Sequence, residues 1–264
     1  MQTADPQVIK AMAEVQSLFE DKYRRPRKKT LYIGQLQVLL EIKFFQWIVY
    51  NATMQLLREG YLKQKQVPTK YADKVIFVYH HKFTEEQMTT RITNTAKLID
   101  RYSHPRNADA LGKHLEGLVK AELRANNFTI TGSHTNEYRG IKWEKTSHTL
   151  DFIAEHRSQR LNVGVEVKNT LSVPEREEIE TKIELARYLG LRPVFAARWI
   201  QPYIKLVYDN GGYCWMFRTQ IYPPGFESLT KTIWKRLQLP VAVRTDLPEK
   251  PVLRFQQWVA KETV

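Results

Sequence analysis

The chain has 264 residues, 42% of them hydrophobic, and a formal net charge of +13, a balance that calls for an anionic partner, of which nucleic acid is the commonest. That length accommodates one large domain or two of moderate size. A single cysteine, Cys214, excludes an internal disulfide framework and a cysteine-rich zinc site, and the most apolar window, "FFQWIVY", is far shorter than the roughly 20 residues a bilayer-spanning helix needs.

The charge is not confined to one tail. Residues 1–105 carry 17 Lys/Arg against 10 Asp/Glu and the remainder 24 against 18, so both parts are basic. The start "MQTADPQVIKAMAEVQ" is polar and amphipathic and reads as no secretory leader. A cytoplasmic protein is expected, nucleoid-associated if the source is a prokaryote.

In chain order, Val8, Ile9, Met12, Val15 and Leu18 predict an amphipathic helix over 6–20. "DKYRRPRKKT" follows, six of ten residues basic, either a solvated loop or an arm that grips phosphates through Arg24, Arg25, Arg27, Lys28 and Lys29. From Ile33 to Lys63 the pattern is helical but too long for one helix, and it divides near 46–48. The second piece has Asn51 as N-cap and Gly60 as the stop. A turn over 67–73 and an extended "KVIFVYHHKF" come next. Over residues 30–82 this order resembles the winged helix-turn-helix family. The resemblance implies major-groove contacts by Asn51, Thr53, Gln55 and Arg58, with wing contacts from Lys70 and Lys74; the same fold also serves protein contacts and dimerisation. Residues 83–105 read as a connecting helix that stops before Pro105, which divides the chain into domains 1–105 and 106–264.

The second domain opens with a helix, "DALGKHLEGLVKAELRANN", buried along Leu111, Leu115, Leu118 and Leu123, and a short strand "FTITG". Two strands, 149–156 and 161–168, then form a hairpin around Arg157–Arg160. Alternation puts Leu150, Phe152 and Ala154 on one face with Val163, Val165 and Val167; Asp151 and Ile153 share the other with Gly164, Glu166 and Lys168. Pairing His156 with Leu161 would set Asp151 directly opposite Glu166. Like charges so placed destabilise a sheet, and a cation between them reverses the effect. A helix over 174–189 stopped by Gly190, a strand "PVFAARWI", a short helix or turn and a strand "GYCWMF" complete a mixed α/β sheet flanked by helices. Helices near 229–237 and 252–262 follow, with no role legible.

A helix with Glu116, a strand with Asp151, Glu166-Val167-Lys168 on the next strand, then a helix and a strand resemble the PD-(D/E)XK nuclease superfamily over roughly residues 108–218. The closest branches are the restriction-endonuclease-like and archaeal Holliday-junction-resolvase-like ones. Leu150 stands where many members have proline. The resemblance implies a DNA endonuclease in which Asp151, Glu166 and the Val167 backbone carbonyl hold Mg²⁺, for which Mn²⁺ substitutes, and Lys168 assists the attacking water. Glu116 would act at a second metal or through water. Mg²⁺ suits such a site because it takes oxygen ligands and only one or two carboxylates. Expected partners are DNA, a second copy of the chain and a protein in a larger complex, with no membrane and no nucleotide cofactor, since no phosphate-binding G-x-x-x-x-G-K-[ST] loop occurs. The alternatives are an inactive or partner-dependent DNA-binding subunit of a transposition, repair or defence complex, and a nuclease acting on RNA. His114 and His148 read as structural, Trp143 as a core residue, and Asn169 and Thr170 as either phosphate contacts or turn residues.

Overall fold

A computed structural model describes residues 5–72 and 74–263, and the chain divides into two compact units. The first comprises residues up to 108 together with 231–239; the second comprises 109–230 and 240 onward.

In the first unit, α1 (Pro6–Phe19) opens where the Asp5 carboxylate accepts the Gln7 N–H at 2.8 Å. Then come β1 (Thr30–Tyr32), α2 (Ile33–Leu40), α3 (Gln46–Arg58), β2 (Leu62–Pro68), β3 (Lys74–His80) and α4 (Glu85–Tyr102). The three strands form an antiparallel sheet in the order β1-β3-β2. Val15, Phe19, Leu36, Val49, Leu56 and Val78 make its core. Asn51 lies within α3 and not at its start, because the helix is capped at Phe45, more than a turn earlier. Gly60, at φ +73°, ends it as expected. β2 escaped the sequence because "LKQKQVP" has almost no apolar alternation; seven register pairs with β3 make it a strand. The turn expected over 67–73 includes Asp73, which lies outside the described residues. α4 starts with a reciprocal cap between Thr84 and Gln87. Residues 231–239 join this unit, and Gln35 Nε2 donates to the Leu237 carbonyl at 2.7 Å.

The second unit holds most of α5 (Pro105–Ala125), then β4 (Phe128–Thr135), the small pair β5 (Glu137–Tyr138) and β6 (Ile141–Lys142), β7 (Leu150–His156) and β8 (Asn162–Lys168). After them come α6 (Arg176–Tyr188), β9 (Arg192–Ala197), a 3₁₀ turn (Gln201–Tyr203), α7 (Ile204–Asp209), β10 (Tyr213–Met216) and β11 (Gln220–Tyr222). Finally α8 (Glu227–Leu237), β12 (Val241–Val243) and α9 (Glu249–Thr263) close the chain. The main sheet runs β10-β9-β8-β7-β4, parallel over β10, β9 and β8 and antiparallel at β7 and β4. It is the mixed, helix-flanked sheet expected. Leu115, Val119 and Leu123 of α5 and Phe255 and Val259 of α9 pack on the face carrying Phe152, Val163 and Val165. α6 covers the other face, with Ile179 and Ile183 near Phe195 and Leu185 and Ala186 near Ile153. The tail therefore has a packing role: Phe255 stacks on Trp215 at 4.1 Å between centroids. β11 and β12 pair in parallel and are too short to leave a sequence pattern. Among the described residues no helix is long and apolar enough to cross a membrane.

Candidate active site

The hairpin register is the expected one: Phe152 pairs with Val165, Ile153 with Gly164, Ala154 with Val163 and Glu155 with Asn162. Asp151 and Glu166 would be the next pair, but the ladder stops short of them. Instead, Asp151 Oδ2 accepts the Val167 N–H at 2.6 Å, so the side chain continues the ladder where the backbone leaves it. In a strand the carbonyl of a residue points to the same side as its N–H, which turns the Val167 carbonyl toward Asp151. Leu150 departs from the expected alternation. It packs with Ile153, Leu185 and Ala186 on the α6 side, in the hollow that Gly164 leaves there.

Glu166 is 3% exposed. One oxygen lies 2.9 Å from Lys168 Nζ and the other 2.6 Å from Lys182 Nζ. Lys182, on α6, also donates to the Thr149 carbonyl. Lys168 reaches Glu178 Oε1 at 2.6 Å as well. Burial raises the Glu166 carboxyl above its ordinary value, the Asp151 charge raises it further, and the two lysines only partly offset this. Burial likewise raises Asp151, opposed by the Val167 N–H and the lysines and reinforced by Glu116. For Lys168, burial pulls the ammonium down but Glu166 and Glu178 outweigh it, and the net shift is upward. Glu116, on α5, approaches from the other side. Its Oε2 lies 3.9 Å from His134 Nε2 and 3.6 Å from Lys120 Nζ, and His134 Nδ1 lies 4.0 Å from Asp151 Oδ1.

The fold thus gathers Glu116, Asp151, Glu166 and Lys168 at one end of the sheet. Lys182, Glu178 and His134 are the members sequence reasoning missed. Only Lys182 left a trace: at 179, 182, 183 and 186 it shares helical spacing with three buried apolar residues. Among the described residues no group of three or more His, Cys, Asp or Glu side chains is arranged to hold a metal ion. The donor chemistry nevertheless suits Mg²⁺, since Asp151, Glu166 and the Val167 carbonyl offer only oxygen and two carboxylates suffice alongside water. Among the described residues Asp151 Oδ1 has no donor nearer than His134 Nδ1 at 4.0 Å, whereas both oxygens of Glu166 are held by lysines.

Other expected residues fall as follows. Asn169 is buried and does not reach a phosphate; its Nδ2 donates to the carbonyls of Leu111 (3.0 Å) and Ile221 (2.6 Å), and its Oδ1 accepts the Ile221 N–H (2.9 Å). Buried Arg198 pins the next turn through the Thr170 and Leu171 carbonyls. His114 is bonded to the Arg244 carbonyl at 2.7 Å, His148 to Thr146, and Trp143 is a core residue.

In the first unit, Arg24, Arg25, Arg27 and Lys28 are exposed and Lys29 is partly buried. The arm is ordered by the Asp21 carboxylate, which takes the N–H groups of Tyr23 and Arg25 and the Arg25 guanidinium. On α3, Asn51 and Arg58 are exposed and Gln55 is half-buried, bonded to Glu59. Thr53 is a correction: it is wholly buried and its hydroxyl donates to the Val49 carbonyl at 2.8 Å, so it cannot touch DNA. Lys70 and Lys74 are exposed at the β2–β3 connection, where Asp100 accepts the Lys70 N–H at 2.6 Å.

No family model matches the chain, and no curated protein or solved structure is significantly similar to it.

Proposed function

We propose that the chain is a metal-dependent DNA endonuclease of PD-(D/E)XK type, with a winged-helix-like first unit that supplies DNA affinity. One observation carries the reading: half-buried Asp151 and buried Glu166, both raised in proton affinity, meet Lys168 at the open end of a strand pair whose backbone ladder has just ended. Two desolvated carboxylates that disfavour their own ionisation gain most from a divalent cation. Asp151, Glu166 and the Val167 carbonyl would hold Mg²⁺, which polarises a phosphate and acidifies bound water. Lys168, kept charged by Glu166 and Glu178, is no base near neutral pH. It donates hydrogen bonds and opposes the negative charge that develops on the phosphoryl oxygens. Lys182 locks the Glu166 carboxylate from below. Glu116 takes a supporting place through water. The strand order β1-β3-β2 after helix, strand, helix, helix supports the winged-helix reading.

A second reading, a subunit that cuts only with a protein partner, is favoured by one surface. Ile42 (80% exposed) and Trp47 (54%), with Phe45 and Tyr50, leave an apolar patch around the start of α3.

The test incubates the full chain with linear, single-stranded, supercoiled and four-way-junction DNA in Mg²⁺, Mn²⁺ or EDTA, beside Asp151→Asn. Cutting in metal, absent in EDTA and lowered about 10²-fold or more in the variant, is the expected outcome. No cutting, with DNA still bound and no metal taken up, sinks the nuclease. Metal uptake without cutting moves the weight to the partner-dependent reading.

A further inference from the structure

The second unit has a cleft of about 470 Å³ beside β10, lined in part by the tail segment 244–254. Its floor is apolar, built from Tyr213, Met216 and Phe217, and its rim carries Arg218, Arg244, Lys250 and Arg254 against one carboxylate, Glu249. Arg244 is occupied, its Nη2 lying 3.1 Å from Asp246 Oδ1. Among the described residues no carboxylate pairs with Arg218, Lys250 or Arg254. All three are exposed, and three like charges grouped beside an apolar floor set up a positive field that draws an anion to the cleft. The volume is that of a nucleotide-sized group and not of a single small ion.

The place of the cleft says which anion. Arg198 N–H donates to the Lys168 carbonyl at 3.0 Å, and Arg218 N–H donates to the Arg198 carbonyl at 2.8 Å. Lys168 at the end of β8 and Arg198 and Arg218 just past β9 and β10 therefore stand side by side along the carboxyl edge of the parallel strands, where open α/β sheets bind ligands. At about 4.8 Å per strand, Lys168 and Arg218 are about 10 Å apart along that edge, or about three steps of a nucleic acid strand at 3.4 Å each.

We propose that this cleft grips the DNA backbone beside the bond that is cut. Arg218, Lys250 and Arg254 take phosphates, and Tyr213, Met216 and Phe217 receive the sugar or base. The proposal rests on the nuclease reading for the identity of the polyanion, and it gives the tail segment a function outside the region that resembles the nuclease superfamily.

The test measures binding of a short fluorescein-labelled single-stranded oligonucleotide, and of its duplex, to the full chain in EDTA across a salt series. Arg218→Gln/Arg254→Gln should weaken binding about tenfold or more and reduce the slope of log Kd against log salt by about 1.4–1.8, the loss of two phosphate contacts. Lys250→Gln alone should reduce it by about 0.7–0.9. Lys145→Gln/Lys205→Gln removes the same charge at exposed sites outside the cleft and should leave the slope unchanged. A cleft pair indistinguishable from that control overturns the proposal, as does a wild-type chain that binds neither oligonucleotide. Because EDTA prevents metal-dependent cutting, a reduced slope in a chain that never cuts DNA supports the cleft while the nuclease reading fails.

Discussion

Glu166 holds a lysine on each oxygen while almost wholly removed from water. A carboxylate buried alone takes up a proton; here burial and the neighbouring Asp151 charge push the Glu166 carboxyl up, and the two ammonium groups oppose that shift. Lys182→Met removes one of them at nearly constant volume. The Glu166 carboxyl should then rise further, and the acid limb of the pH–rate profile for DNA cutting should move to higher pH. An unmoved limb with lower overall activity would make Lys182 merely structural. The pair Glu166 and Lys168 is legible in sequence because two-residue spacing on a valine-rich strand fixes a common face. Lys182 and His134 are not, because each reaches the site from an element whose docking no local pattern specifies. Thr53 shows the opposite failure: one hydroxyl among polar helix residues looks exposed until packing against the first unit's core buries it.

At the scale of elements, the site depends on how closely α6 approaches the β7–β8 hairpin. A methyl group on Gly164 would lie 2.7 Å from Leu150 Cδ1 and 3.3 Å from Ala186 Cβ, so glycine sets the distance that lets Lys182 reach Glu166. Gly164→Ala should cost about 1–3 kcal/mol in urea unfolding and should lower cutting at saturating metal, because α6 must retreat. Unchanged stability would show that Leu150 can rotate away. Hairpin, register and flanking helices follow from alternation and from stop signals such as Gly60 and Gly190. β2 and the β11–β12 pair do not, since their residues become strands only through partners already in place.

For the whole molecule, the site works against stability. Asp151 and Glu166 have folded values above their ordinary ones, so the fold binds protons more tightly than the unfolded chain. As pH rises from the ordinary carboxylate range through the raised values, stability falls. Asp151→Asn should therefore raise the Tm of the metal-free chain at neutral pH, and the difference should shrink as pH falls and vanish below about pH 3, where the carboxyl is protonated in both states. Mg²⁺ should raise the Tm of wild type and not of the variant; thermal melts with and without metal across pH check both. By itself the sequence determined the basic charge, the hairpin with its register, the helices with strong periodicity, and the meeting of Asp151, Glu166 and Lys168, because each depends on spacing along one or two neighbouring segments. Only the tertiary structure decided that Lys182 sits under Glu166, that Thr53 and Asn169 are buried, that residues 231–239 join the first unit, and that the tail lines a cationic cleft. Those outcomes turn on which surfaces meet, and burial between distant segments is set by the packing of the whole chain.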